Sequence, residues 1–90
     1  HAPTVRWLTD HGIAHVHNRP DKRSTATEGA PDFAIVAGGG TVWIEYKTRE
    51  GKLSEAQQIW QHLAARQNVT VHVLRSMEEF LNLMRERGVE

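Results

Sequence analysis

The chain has 90 residues, the length of one small domain, and its 11 basic residues are balanced by 11 acidic ones. Zero net charge argues against a purely electrostatic nucleic-acid binder, although it leaves room for a local basic patch. There is no Cys, which excludes a disulfide framework and a thiolate metal site and suits a reducing cytoplasm; no apolar run approaches a membrane span, and no signal peptide is visible.

A domain this short buries a modest core, so a partner subunit is expected. The chain begins at His1 rather than Met, so further sequence upstream is expected as well. Residues 3–11 place Pro3 at a helix start, Val5, Trp7 and Leu8 on an apolar side, and Gly12 as a stop. Residues 13–18 alternate weakly and read as a strand. Residues 19–31 are polar, with Pro and Gly, and read as a loop carrying Arg19, Lys22 and Arg23.

Two apolar runs follow, DFAIVA (32–37) and TVWIEYK (41–47), joined by Gly38-Gly39-Gly40. This is a hairpin signal. Ser54 and Gln57 fit a capping box at the start of a helix whose apolar stripe is Ala56, Ile59, Trp60, Leu63 and Ala64. VTVHVL (69–74) alternates as a strand, with Val69, Val71 and Val73 on one side. Ser76 and Glu79 form a second capping box, and Met77, Phe80, Leu81 and Met84 make a final amphipathic helix ending near Gly88. The predicted order is α-β-β-β-α-β-α. A hairpin followed by a helical crossover implies an α/β fold, with a mixed four-stranded sheet flanked by helices.

The chemistry lies where an apolar strand ends in charge. Side chains two apart on a strand share a face, so Glu45 and Lys47 point the same way as Trp43. Val42, Ile44 and Tyr46 point into apolar packing. A two-residue turn at Gly38-Gly39 pairs Ala37 with Gly40 and sets Asp32 opposite Glu45; a three-residue loop would part the two acids. Carboxylates directly across a sheet repel. A divalent cation offsets that repulsion, and hard oxygen ligands without Cys favour Mg²⁺ or Mn²⁺. Such a site polarises a phosphodiester oxygen and activates water, with Lys47 placing the water or stabilising transition-state charge. Taken alone, Glu45 and Lys47 would be a solvated pair at a strand end, and Asp32 a turn residue. Gln57 is either a capping residue or a contact to water or phosphate.

The strings EGAPDFAIV, WIEYKTREGKLSEAQQIW and VTVHVLRSMEEF resemble the VRR-NUC family of virus-type replication-repair nuclease domains, within the PD-(D/E)xK superfamily. The resemblance covers residues 28 to about 80 and rests on the joint order of its motifs, because "PD" and "ExK" alone are weak. It implies a restriction-endonuclease-like fold over residues 1–90 as a single domain, and a metal-dependent endonuclease. It further implies that Asp32 and Glu45 ligate metal, with the Tyr46 carbonyl as another ligand. Lys47 is then the catalytic lysine, and Gln57 matches the glutamine after the motif. Small members resemble junction-resolving homodimers acting on branched DNA, so DNA, a second copy and a bacterial or phage-infected cytoplasm are the expected setting. The family's first helix also supplies an acid. Here that helix offers only Asp10, at the wrong end, so the acid is expected upstream of His1, with Glu28 a distant substitute.

Arg19, Lys22, Arg23, Arg49 and Lys52 flank the proposed site and are candidate phosphate contacts. His15 and His17 share a face but lack a third ligand at zinc spacing. Gly38–Gly40 precedes no helix and is no phosphate loop. Trp7, Trp43 and Trp60 read as core. Leu83 suits either core or a dimer contact. Two other readings stand beside the nuclease: a catalytically silent DNA-binding module of the same fold, and a protein-interaction domain with an incidental Glu–Lys pair.

Overall fold

The computed structural model describes residues 1–18 and 28–89. Its elements are α1 (Ala2–Asp10), β1 (His15–His17), β2 (Phe33–Ala37), β3 (Gly40–Tyr46), α2 (Glu55–Arg66), β4 (Val71–Leu74) and α3 (Met77–Glu86). The strands form one sheet in the order β1-β2-β3-β4. β1, β2 and β3 pair antiparallel, while β4 lies parallel to β3. A parallel neighbour cannot be reached by a hairpin, and α2 supplies the crossover.

Register follows from the turn between β2 and β3. Gly38 and Gly39 adopt φ of 65° and 81°. Both central residues are thus left-handed, the geometry that lets a two-residue turn match strand twist. Ala37 pairs with Gly40 and Phe33 with Ile44. This is the register the sequence predicts, and it extends to place Asp32 across from Glu45.

Alternation then sorts the two faces. Phe33, Ile35, Ala37, Val42, Ile44 and Leu74 turn to one side and meet Leu8 of α1 and Phe80, Leu83 and Met84 of α3. Each large side chain fully buried there contributes about 1.5–3 kcal/mol. Leu83 belongs to this core, with only 6% of its surface exposed, and is not free for a dimer contact. Trp7 packs against the same cluster, edge-on to Phe80. The other face carries Trp43, which meets Trp60 of α2 at 5.4 Å between ring centres.

Several details depart from the sequence reading. β1 has three residues, shorter than 13–18, and β4 starts at Val71 and leaves out Val69. Ile59 and Leu63 of α2 do not lie in its buried stripe and stay about half exposed. The partly buried residues are instead Ala56, Gln57, Trp60, Gln61 and Ala64, because the helix rests on the Trp43–Trp60 contact and that rotates Ile59 and Leu63 aside. The first capping box is complete: Ser54 Oγ accepts the Gln57 N–H at 3.1 Å and Gln57 Oε1 accepts the Ser54 N–H at 2.8 Å. The second is half formed. Ser76 Oγ accepts the Glu79 N–H, but the Glu79 carboxylate takes the N–H of Arg75 in place of Ser76.

Candidate active site

Asp32 is positioned by both neighbouring strands. The Asn18 N–H at the end of β1 donates to the Asp32 carbonyl at 2.8 Å, and Asn18 Nδ2 donates to the carbonyl of buried Pro31 at 2.7 Å. From the β3 side, the Tyr46 N–H donates to Asp32 Oδ2 at 2.7 Å. The carboxylate is therefore held by its own side chain as well as by its backbone.

Glu45 is 2% exposed. It sits between Asp32 on one side and Val73, its register partner in β4, on the other. Burial pushes its carboxyl up from 4.5 to about 8, a hydrogen bond with Asp32 and the Asp32 charge add to this, and Lys47 opposes it. The raised value favours the protonated form of Glu45, which can donate to Asp32. One Glu45 oxygen, Oε1, is buried with no hydrogen-bond partner. Such an atom costs roughly 1–3 kcal/mol or more unless something satisfies it.

Lys47 follows β3 directly, and its N–H donates to the Leu74 carbonyl at 2.9 Å. Its side chain is partly buried and close enough to Glu45 to stabilise the charged carboxylate. Tyr46 points to the core face, as expected. Its phenol lies 2.7 Å from Thr4 Oγ1 in α1, and burial raises its pKa. Thr4 is buried, so α1 is tied to the strand that bears the acids.

Gly29 brings the segment before Asp32 against α2. It has φ of 86°, and any Cβ there would collide with the Ala56 carbonyl. Gln57 therefore lies beside this segment, but its carboxamide oxygen is engaged by Ser54. Arg49 and Lys52 are exposed on the segment after Lys47. Arg19, Lys22 and Arg23 lie outside the described residues.

His1 reaches the same end of the sheet, with Nε2 3.5 Å from Asp32 Oδ2, and His17 Nε2 lies 3.2 Å from His1 Nδ1. His17 also stacks on Phe33 at 4.4 Å between ring centres. Sequence reading gave none of Thr4, Asn18, Gly29 or His1 a role at the site. Their contacts join segments distant in the chain, and only the PD and ExK strings carry a local signal.

The VRR-NUC domain model matches residues 4–78. The chain belongs to the VRR-NUC family. It is a nuclease-family member, and its four-stranded mixed sheet flanked by helices is consistent with the restriction-endonuclease-like fold. Neither a curated protein nor a solved structure matches the chain.

This VRR-NUC site suits the divalent metals that nuclease domains of its type generally use. Paired carboxyls, a raised Glu45 pKa and an orphaned buried oxygen would all be relieved by one hard cation. Among the described residues no cluster of three or more His, Cys, Asp and Glu side chains is placed to hold an ion. Two carboxylates would leave the remaining positions of a hard divalent cation to water.

Proposed function

We propose that this VRR-NUC domain is an endonuclease hydrolysing DNA phosphodiester bonds with Mg²⁺ or Mn²⁺. The observation that carries this is Glu45: a buried carboxyl with a partnerless oxygen, against a second carboxyl and beside a lysine. Asp32, Glu45 and the Tyr46 carbonyl would hold the ion. A bound ion supplies Lewis-acid polarisation of the phosphodiester and a water of lowered pKa. The Tyr46 N–H fixes one Asp32 oxygen and so leaves the other to turn toward Glu45. The Lys47 ammonium orients the attacking water and offsets charge as it builds on the phosphoryl oxygens. Gln57 stays in its capping role until substrate arrives and then has a carboxamide within reach of phosphate or water. Arg49 and Lys52, with Arg19, Lys22 and Arg23, give sequence-independent phosphate contacts.

The substrate is branched duplex DNA of the four-way-junction kind, cut by a two-fold homodimer whose paired sites match a symmetric substrate. The small size of the domain supports the homodimer, as do the half-exposed Val16, Val36, Ile59 and Leu63. The test is Mn²⁺-dependent nicking of four-way junctions by the parent chain and by Lys47→Ala. Cleavage by the parent that falls at least about 100-fold in the variant, with junction affinity held within about threefold, is expected. Equal cleavage by both would remove Lys47 from the chemistry. Tight binding with no cleavage by either would leave a silent DNA-binding module.

A further inference from the structure

Arg75 follows β4 and sits across from the segment that leaves Lys47. Its Nη1 donates to the Thr48 carbonyl at 2.6 Å and the Gly51 carbonyl at 2.7 Å, with the Arg49 carbonyl farther off at 3.4 Å. Three carbonyls of one short segment therefore converge on one cationic nitrogen. The segment is itself a turn, closed by the Gly51 N–H donating to the Thr48 carbonyl at 3.1 Å. It is also tight, because a Cβ on Gly51 would lie 2.7 Å from Thr48 Oγ1.

The arginine is fixed from its own side too. Its backbone N–H donates to Glu79 Oε1 at 2.7 Å, and the Glu79 N–H is held by Ser76 Oγ. The start of α3 thus anchors the backbone from which the guanidinium reaches. One residue earlier, the Leu74 carbonyl takes the Lys47 N–H. Leu74 and Arg75 together grip the chain on both sides of the Lys47 carbonyl.

We propose that Arg75 is a positioning residue for the nuclease site. It clasps the Thr48–Gly51 turn and through it sets the direction of Lys47 and of the basic residues Arg49 and Lys52. The proposal rests on the nuclease reading for its functional half and on the clasp alone for its structural half. Charged hydrogen bonds to carbonyls are stronger than neutral ones, so this one side chain outweighs the single backbone bond that otherwise closes the turn. The lysine's ammonium must meet its target within a fraction of an ångström, and a displacement of about 1 Å can cost roughly 100-fold in rate.

The experiment uses the whole chain with Arg75→Ala and Arg75→Lys. Amide hydrogen exchange is followed at Gly51 and at Ile44, and junction cleavage is measured with Mn²⁺. In Arg75→Ala, exchange at Gly51 is expected to quicken about tenfold while Ile44 in β3 stays within about threefold. The kcat is expected to fall about tenfold with KM little changed, the pattern of lost alignment rather than lost binding. Arg75→Lys keeps several donors on one nitrogen and is expected to recover most of both. Unchanged Gly51 exchange in Arg75→Ala overturns the clasp. A raised KM with unchanged kcat overturns positioning and makes Arg75 a phosphate contact. If Arg75→Ala unfolds, Arg75→Gln, which is too short and uncharged to gather the three carbonyls, takes its place: Gly51 exchange at least about tenfold above the parent supports the clasp, and a parent-like rate overturns it. If the parent chain does not cleave DNA, the nuclease reading falls, and Gly51 exchange alone decides whether Arg75 holds the turn.

Discussion

Replacing Glu45 with Gln keeps its volume and removes its titration. In the unfolded chain Glu45 titrates near 4.5, whereas in the folded, metal-free protein it titrates near 8. Between those values the folded state holds one proton more than the unfolded state. Stability from this group is therefore complete below pH 4.5 and is lost as pH rises toward 8 and beyond. Each pH unit in the window costs about 1.4 kcal/mol, which gives an upper bound of about 5 kcal/mol across it. Relaxation around the charged pair and entry of water leave about 2–3 kcal/mol. Urea unfolding of the parent and Glu45→Gln, from pH 4.5 to 8.5 without divalent ions, reads the effect directly. The variant is expected to match the parent near pH 4.5 and to be about 2–3 kcal/mol more stable at pH 8.5. Adding Mg²⁺ at about 100 times its dissociation constant should return about 2.7 kcal/mol to the parent and much less to the variant. Parallel stability curves for the two proteins would refute the argument that Glu45 is held protonated by burial and by Asp32.

Other consequences are accessible to simple measurements. Gly29→Ala combines a left-handed backbone with a collision against the Ala56 carbonyl, while Gly39→Ala has a similar φ of 81° and open space around it. The first is expected to cost about 2–4 kcal/mol and the second about 1, read from urea midpoints; equal costs would mean the Gly29 contact is easily relieved. His72 is pushed below 6.5 by burial and then by the Arg87 guanidinium, whose Nη2 lies 3.4 Å from its Nε2. Its depressed value makes stability rise with pH up to 6.5, the unfolded chain binding the extra proton. An NMR titration should place the imidazole below 6.5, and Arg87→Ala should move it back up; no movement would assign the shift to burial alone.

The hairpin and its acid pair were legible because their causes are local. Two glycines determine the turn, the turn determines the register, and the register sets Asp32 against Glu45. The Ser54–Gln57 box is legible for the same reason, its partners being three residues apart. The orientation of α2 was not. Counting apolar residues at helical spacing favours Ile59 and Leu63, but the helix is seated by Trp60 on Trp43, a contact between distant segments. Arg75 left no trace in the sequence either, because its acceptors are backbone carbonyls, which every residue has. Glu79 misled for a related reason: its spacing from Ser76 is right for a box, yet the Arg75 N–H lay within its reach.

Asn18 closes one further circuit. By holding the carbonyls of Pro31 and Asp32, it ties the end of β1 directly to the start of β2. Asp32 thus takes its position from contacts on β1 and β3, which a change of length or composition in residues 19–27 is expected to leave in place.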